Sequence, residues 1–106
     1  MTPLETLSLS DAQSVVTLAP GRGGIVTRFS VAGRELLFLD ESTLLDPTKN
    51  IRGGNPILFP SPGPLSGNRF TRNGRSGSMK QHGIARLYPW AVTHTTRTSA
   101  TLVLRS

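Results

Sequence analysis

Short runs with a period of two, cut off by turn-forming residues, leave this chain room for strands and for no helix of ordinary length. Glu5 to Ser10 (ETLSLS) alternates apolar and polar residues, and Ser14 to Pro20 (SVVTLAP) is rich in β-branched ones. After the break GRGG at Gly21 to Gly24, Ile25 to Val31 (IVTRFSV) alternates again. Ala32 to Glu35 (AGRE) reads as a turn into Leu36 to Leu39 (LLFL). The opening of the chain therefore predicts a meander of four strands.

Asp40 to Asn50 has no alternation and ends in turn formers, which predicts a loop with one helical turn. From Ile51 to Gly67 (IRGGNPILFPSPGPLSG) glycine and proline prevent long regular structure, and only Ile57 to Phe59 could form a short strand. A long ordered loop of this kind inside a β domain is more often functional than idle. Asn73-Gly74 is a favoured two-residue hairpin turn. Trp90 to Ser106 reads as two strands around a turn near Thr96 to Ser99, the second running to the last residue. The fold class is thus all-β, with antiparallel sheets and a long Gly/Pro-rich loop, in a single unit spanning 1–106. A good final strand wants a neighbour, so the expectation is pairing with another copy through sheet edges, or a longer protein of which this is the front part.

The chain carries 12 Lys and Arg against 6 Asp and Glu, for a formal net charge of +6. Only Lys49 and Lys80 are lysines, and the arginines are dispersed except for Arg69, Arg72 and Arg75. Such a balance permits an anionic partner, although solvated surface charge is the plainer account. A nucleic-acid partner is disfavoured, because most of the aromatic residues fall at strand positions that look buried. The absence of cysteine excludes disulfides and thiolate chemistry. No apolar stretch approaches the length needed to cross a membrane, and the start lacks the pattern of a secretory signal, so a cytoplasmic location without membrane contact is expected.

One stretch carries chemistry. Met79 to Trp90 (MKQHGIARLYPW) sets His82 beside Gly83, with Arg86 three residues beyond that glycine. A small residue beside the imidazole lets a ligand or a backbone come close. Imidazole both donates and accepts near neutral pH, and guanidinium offers a planar fork suited to hydroxyls, carboxylates or phosphates. Tyr88 and Trp90 supply flat faces against which a sugar can stack. The plain alternative is that His82 fastens a loop and Trp90 fills the core.

These segments together resemble the aldose 1-epimerases, or galactose mutarotase-like proteins, on the side of the bacterial branch that includes hexose-6-phosphate epimerases. The resemblance rests on Arg52 to Pro60 (RGGNPILFP), on Ser66 to Phe70 (SGNRF), and on Gln81 to Arg86 (QHGIAR). The upstream run PGRGGIVTRFSVAGRELLFLD looks like the family's opening meander. What the resemblance implies is the N-terminal portion of a β-supersandwich whose cleft holds an aldose or aldose phosphate. The full-length family interconverts anomers by acid–base ring opening, with no cofactor and no metal. Residue by residue, His82 matches a histidine that orients the sugar and Arg86 an arginine in substrate or phosphate contact. Asn68 and Arg69 match sugar-contacting positions, and Arg52 lies in the RGG loop. Two departures stand out: Ile84 replaces an aromatic, and Pro64 stands where many members have arginine. The family's acid histidine and base glutamate lie further downstream and have no counterpart here. Glu5, Asp11, Glu35, Asp40, Glu41 and Asp46 all precede the cleft motifs, so no catalytic residue is assigned and the chain alone is expected to be inactive. A non-catalytic sugar-binding module built by self-association is the alternative.

Overall fold

The computed structural model describes residues 4–60, 63, 65–79 and 82–105, and among these it is built of short strands with a single α-helical turn. β1 (Leu7–Asp11), β2 (Ser14–Ala19), β3 (Ile25–Val31) and β4 (Arg34–Glu35) form one antiparallel sheet in sequence order; its first three strands are those the alternation predicts, and the fourth lies within the expected turn. α1 (Glu41–Leu45) follows. Two separate hairpins complete the chain, β5 (Arg69–Arg72) with β6 (Arg75–Ser78), and β7 (Ala91–Thr95) with β8 (Ala100–Val103). Asn73 and Gly74 both have positive φ, as the expected turn requires.

The sheet bends where β2 meets β3. Register shifts there so that Thr27 has no opposite number, and its hydroxyl donates to the Thr17 carbonyl at 3.1 Å. The extra residue increases local twist, and a threonine fits because its own side chain closes the ladder. Beyond the bend, Ala19 and Ile25 turn inward and meet Leu44 of α1, and Leu18 is buried beside them in sequence. Leu4, Leu39 and Ile51 pack around this cluster. The core is small: the large apolar side chains buried in it are Leu18, Ile25 and Leu44, each contributing about 1.5–3 kcal/mol.

Two expected strands do not form. Leu36 to Leu39 leaves the sheet because the Glu35 carboxylate accepts from the Phe29 amide at 2.9 Å, taking the bond that the next ladder position would have used. The segment turns instead to the Gly/Pro-rich loop, where Leu39 bridges Gly53 and the Gly54 amide donates to the Phe38 carbonyl at 2.7 Å. Leu36 and Phe38 are consequently exposed. Ile57 to Phe59 makes a single parallel bridge, Phe59 to Gly83, because its prolines remove the donors a ladder needs. The last strand stops at Val103. The aromatic residues also sit differently from expectation: Phe38, Phe59, Phe70 and Tyr88 are exposed, and Phe29 and Trp90 are half-buried.

Because the loops cannot pair with a sheet, side chains hold them. Arg22 spreads its guanidinium over four carbonyl oxygens, with Nε donating to Leu44 at 3.0 Å and Nη2 to Thr43 (2.9 Å), Asp46 (3.2 Å) and Lys49 (2.9 Å). Those of Thr43 and Leu44 are carbonyls that so short a helix leaves without partners, and those of Asp46 and Lys49 belong to the turn that follows it. At the other end of α1, Asp40 accepts from the Ser42 amide at 3.0 Å and the Ser42 hydroxyl at 2.6 Å. Thr43 Oγ1 donates to the Asp40 carbonyl and accepts from the Arg52 amide, both at 2.9 Å. Asp46 accepts from the Thr48 amide and hydroxyl at 2.9 and 2.6 Å. The segment 40–54 is therefore ordered by polar contacts together with the burial of Leu44.

The molecule exposes 7730 Å², against about 5,800 Å² for a compact chain of 11.4 kDa. Its radius of gyration is 15.5 Å, against about 13 Å for a compact chain of this length.

Two consequences are measurable. Arg22→Ala removes the guanidinium from four carbonyls, of which Asp46 keeps the Lys49 amide, and should cost about 2–3 kcal/mol, read as a lowered midpoint in denaturant with unchanged slope. A value within a few tenths of wild type would show that water replaces the guanidinium without loss. The second concerns acid. Hydrogen bonds from the Ser42 and Thr48 hydroxyls hold the Asp40 and Asp46 carboxyls below their usual range. Since the folded-state values are depressed, their stabilisation is complete above the ordinary carboxylate pKa of about 3.9 and is lost as pH falls through the lower folded values. Thermal melts from neutral pH downward should steepen below that range, and the double variant Asp40→Asn, Asp46→Asn should flatten the acid limb. An acid limb identical to wild type would assign it to other groups.

Candidate functional site

A pocket of about 490 Å³ opens between the segment 47–58 and the segment 82–87. Its polar lining includes Arg22, Thr48, Lys49, Asn50, His82 and Arg86, and its apolar lining includes Ile25, Ile51, Leu58 and Leu87. Each wall has a local cause. Arg22 pins the carbonyl of Lys49, and the Asp46 turn fixes Thr48, so the outer wall stands although it lies in no sheet. The Asp40 amide donates to the Arg52 carbonyl at 2.8 Å, which ties the floor to α1.

The opposite wall is placed by two glycines. A Cβ at Gly83 would lie 2.3 Å from the Phe59 carbonyl oxygen, and one at Gly23 would lie 2.4 Å from the Arg86 carbonyl oxygen. Only glycine lets these strands of backbone approach so closely. The small residue beside His82 therefore admits a backbone; the Ile84 and Ala85 amides both donate to the Phe59 carbonyl, at 2.9 and 3.1 Å. A 3-10 turn at Ala85–Leu87 then directs Arg86 into the pocket, where Nη1 donates to Asn50 Oδ1 at 3.1 Å. Trp90 closes this unit, its amide donating to the Pro20 carbonyl (2.8 Å) and its Nε1 to the Ala85 carbonyl (2.9 Å). Trp90 fastens the pocket wall and presents no free face in it.

His82 has φ +70°, a conformation that costs a non-glycine residue energy. Its amide donates to the Gly63 carbonyl at 3.2 Å. Of the residues singled out in the sequence, His82 and Arg86 line the pocket together. Arg52, Asn68 and Arg69 are exposed and stand outside the lining. Gln81 and Pro64 lie outside the described residues. Sequence reasoning missed Arg22, Lys49 and Asn50. Lys49 did give a signal, as one of two lysines and close before the RGG motif; Arg22 was hidden inside what reads as a mere break.

Chemically the lining holds Arg22, Lys49, Arg86 and His82 and no carboxylate. Burial lowers the Arg22 pKa and the nearby Asp46 carboxylate opposes that, so the group remains charged at any ordinary pH. The pocket can attract an anion and donate to hydroxyls, and it contains no acidic side chain to act as a base. Among the described residues no group of three His, Asp or Glu could hold a metal ion.

No family model matches the chain. In sequence it is 38% identical over 71 residues to the "Putative glucose-6-phosphate 1-epimerase" of Cenchrus ciliaris, a match covering 66% of this chain and 18% of that protein. In structure it is similar to the Slr1438 protein of Synechocystis sp. PCC 6803, with a TM-score of 0.84 and 39% identity over 95% of this chain and 36% of the other. It is also similar to a galactose mutarotase related enzyme of Lactobacillus acidophilus, with a TM-score of 0.76 and 21% identity over 96% of this chain and 32% of the other. The chain thus spans about a fifth of the curated relative and about a third of the solved ones. Sequence and fold agree with the motifs: the chain is similar to a protein named as a putative glucose-6-phosphate 1-epimerase and has the fold of the galactose mutarotase-like structures.

Proposed function

We propose that the pocket takes an aldose carrying a phosphate, and that this chain supplies sugar-binding groups of an epimerase-like cleft without its acid–base pair. The observation that carries this reading is the cationic lining without a carboxylate. Arg86 provides a fork and Lys49 a point charge for the phosphate, while His82 exchanges hydrogen bonds with sugar hydroxyls. The curated relative's printed name, which refers to a phosphorylated aldose, supports the same reading. Arg52, Asn68 and Arg69 are secondary members of the proposed set, since each would need ligand extending beyond the pocket.

Epimerisation by ring opening needs an acid at the ring oxygen and a base at the C1 hydroxyl, both within hydrogen-bond reach. Glu5, Asp11, Glu35, Asp40, Glu41 and Asp46 are all absent from the lining. In this reading the chain corresponds to the N-terminal portion of a larger β-supersandwich, works without a cofactor, and is cytoplasmic. The excess exposed surface favours a cover, either further chain or a second copy paired at a sheet edge.

Titration calorimetry should show glucose 6-phosphate binding about tenfold more tightly than glucose, the range of a charge-assisted contact. Arg86→Ala should erase most of that difference. His82→Asn should weaken both sugars, asparagine being chosen because it tolerates the left-handed backbone. Equal affinity for the two sugars would remove the phosphate from the reading. Anomerisation followed by NMR should run at the buffer rate, since losing an acid or a base costs about 10²–10⁴-fold each. Clear turnover by the pure chain would relocate the chemistry to His82. Sedimentation should show a dimer at micromolar concentration; a monomer throughout would leave the exposed surface to be covered otherwise.

A further inference from the structure

The β5–β6 hairpin lies outside the sugar pocket, and its two faces differ. Residues opposite each other across the hairpin share a face. Phe70 pairs with Gly77 and Arg72 pairs with Arg75, so one face presents the phenylalanine ring and two arginines. The ring lies over Gly77, where a Cβ would come within 2.8 Å of Phe70 Cζ. A glycine opposite an aromatic lets the ring lie down across the strand, and Phe70 is 42% exposed. Phe70, Arg72, Asn73, Arg75 and Ser76 enclose a shallow concavity beside the ring. Among the described residues, neither arginine makes an ion pair with an acidic side chain.

Like charges directly opposite on a hairpin destabilise it unless an anion lies between them. A ring beside that charge pair fits a ligand that alternates phosphate with planar groups. From these observations we propose that the Phe70–Arg72–Arg75 face binds single-stranded nucleic acid, the bases stacking on Phe70 and the phosphates lying against Arg72 and Arg75. The concavity is too open to hold a free nucleotide by enclosure, whereas a strand gains from several contacts and from the net charge of +6. An acidic peptide would use the arginines and leave the ring idle. Buried aromatics would disfavour nucleic acid; Phe70 is not buried.

The test is fluorescence anisotropy of a labelled oligothymidylate with the whole chain at several salt concentrations. Binding should weaken with salt, and Arg72→Ser with Arg75→Ser should reduce the log–log slope by about 1.4, two phosphates' worth for a single strand. Phe70→Leu keeps an apolar cover over Gly77 but removes the stacking face, and should weaken binding about fivefold or more with the melting temperature unchanged. If Phe70→Leu unfolds the hairpin, Phe70→Tyr, which retains a ring, should bind as wild type does. Saturating glucose 6-phosphate should not displace the strand, which separates this site from the pocket. Absence of binding at low salt, displacement by polyglutamate as effective as by unlabelled strand, or equal affinity of the wild type and a folded Phe70→Leu protein would each overturn the proposal.

Discussion

One guanidinium holds together what the sheet cannot. Arg22 sits just past the inward turn of the β2 strand and reaches the carbonyls of Thr43, Leu44, Asp46 and Lys49. A five-residue helix cannot stand by propensity, because nucleation costs more than so few bonds return. Its stability comes from Arg22 at one end, Asp40 at the other and Leu44 in the core. Once that turn is fixed, Lys49, Asn50 and Ile51 have a defined position, and the pocket has an outer wall. An exposed Arg28–Glu41 ion pair also joins β3 to the helix, but pairs of that kind contribute about 0–1 kcal/mol. The four carbonyl contacts outweigh it.

The same economy runs through the molecule. A core with three large buried side chains supplies little apolar stabilisation, so hydrogen bonds between loops carry the architecture. Pro20 illustrates this: its carbonyl accepts from the Gly24 and Trp90 amides, joining the meander to the last hairpin. The Ser10 amide donates to the Arg97 carbonyl at 2.9 Å, a second link between those parts. Apolar side chains such as Leu36, Phe38, Leu45 and Phe59 are left outside.

Much of this was legible in the residues. Period-two alternation located β1, β2 and β3, because a half-buried strand must alternate; Asn73-Gly74 located the middle hairpin, because both residues need positive φ. The motif QHGIAR located one pocket wall, with His82 and Arg86 brought together. What was not legible depended on contacts distant in sequence. Leu36 to Leu39 has strand composition, yet the Glu35 side chain ends the ladder before it. Arg22 lies between glycines, and nothing local shows that its side chain spans to a helix about twenty residues on. Only the resemblance links Asn68 and Arg69 to the pocket, and both stand outside its lining.

The proposed function requires the space between Lys49 and Arg86 to be a ligand site and not an incidental gap. Amide chemical-shift mapping during titration with glucose 6-phosphate addresses it residue by residue. The account predicts saturable shifts at Lys49, Asn50, Ile51 and His82 through Leu87, with Asn73 and Gly74 unmoved. Shifts confined to the β5–β6 hairpin, or none at concentrations that saturate a related full-length epimerase, would contradict it.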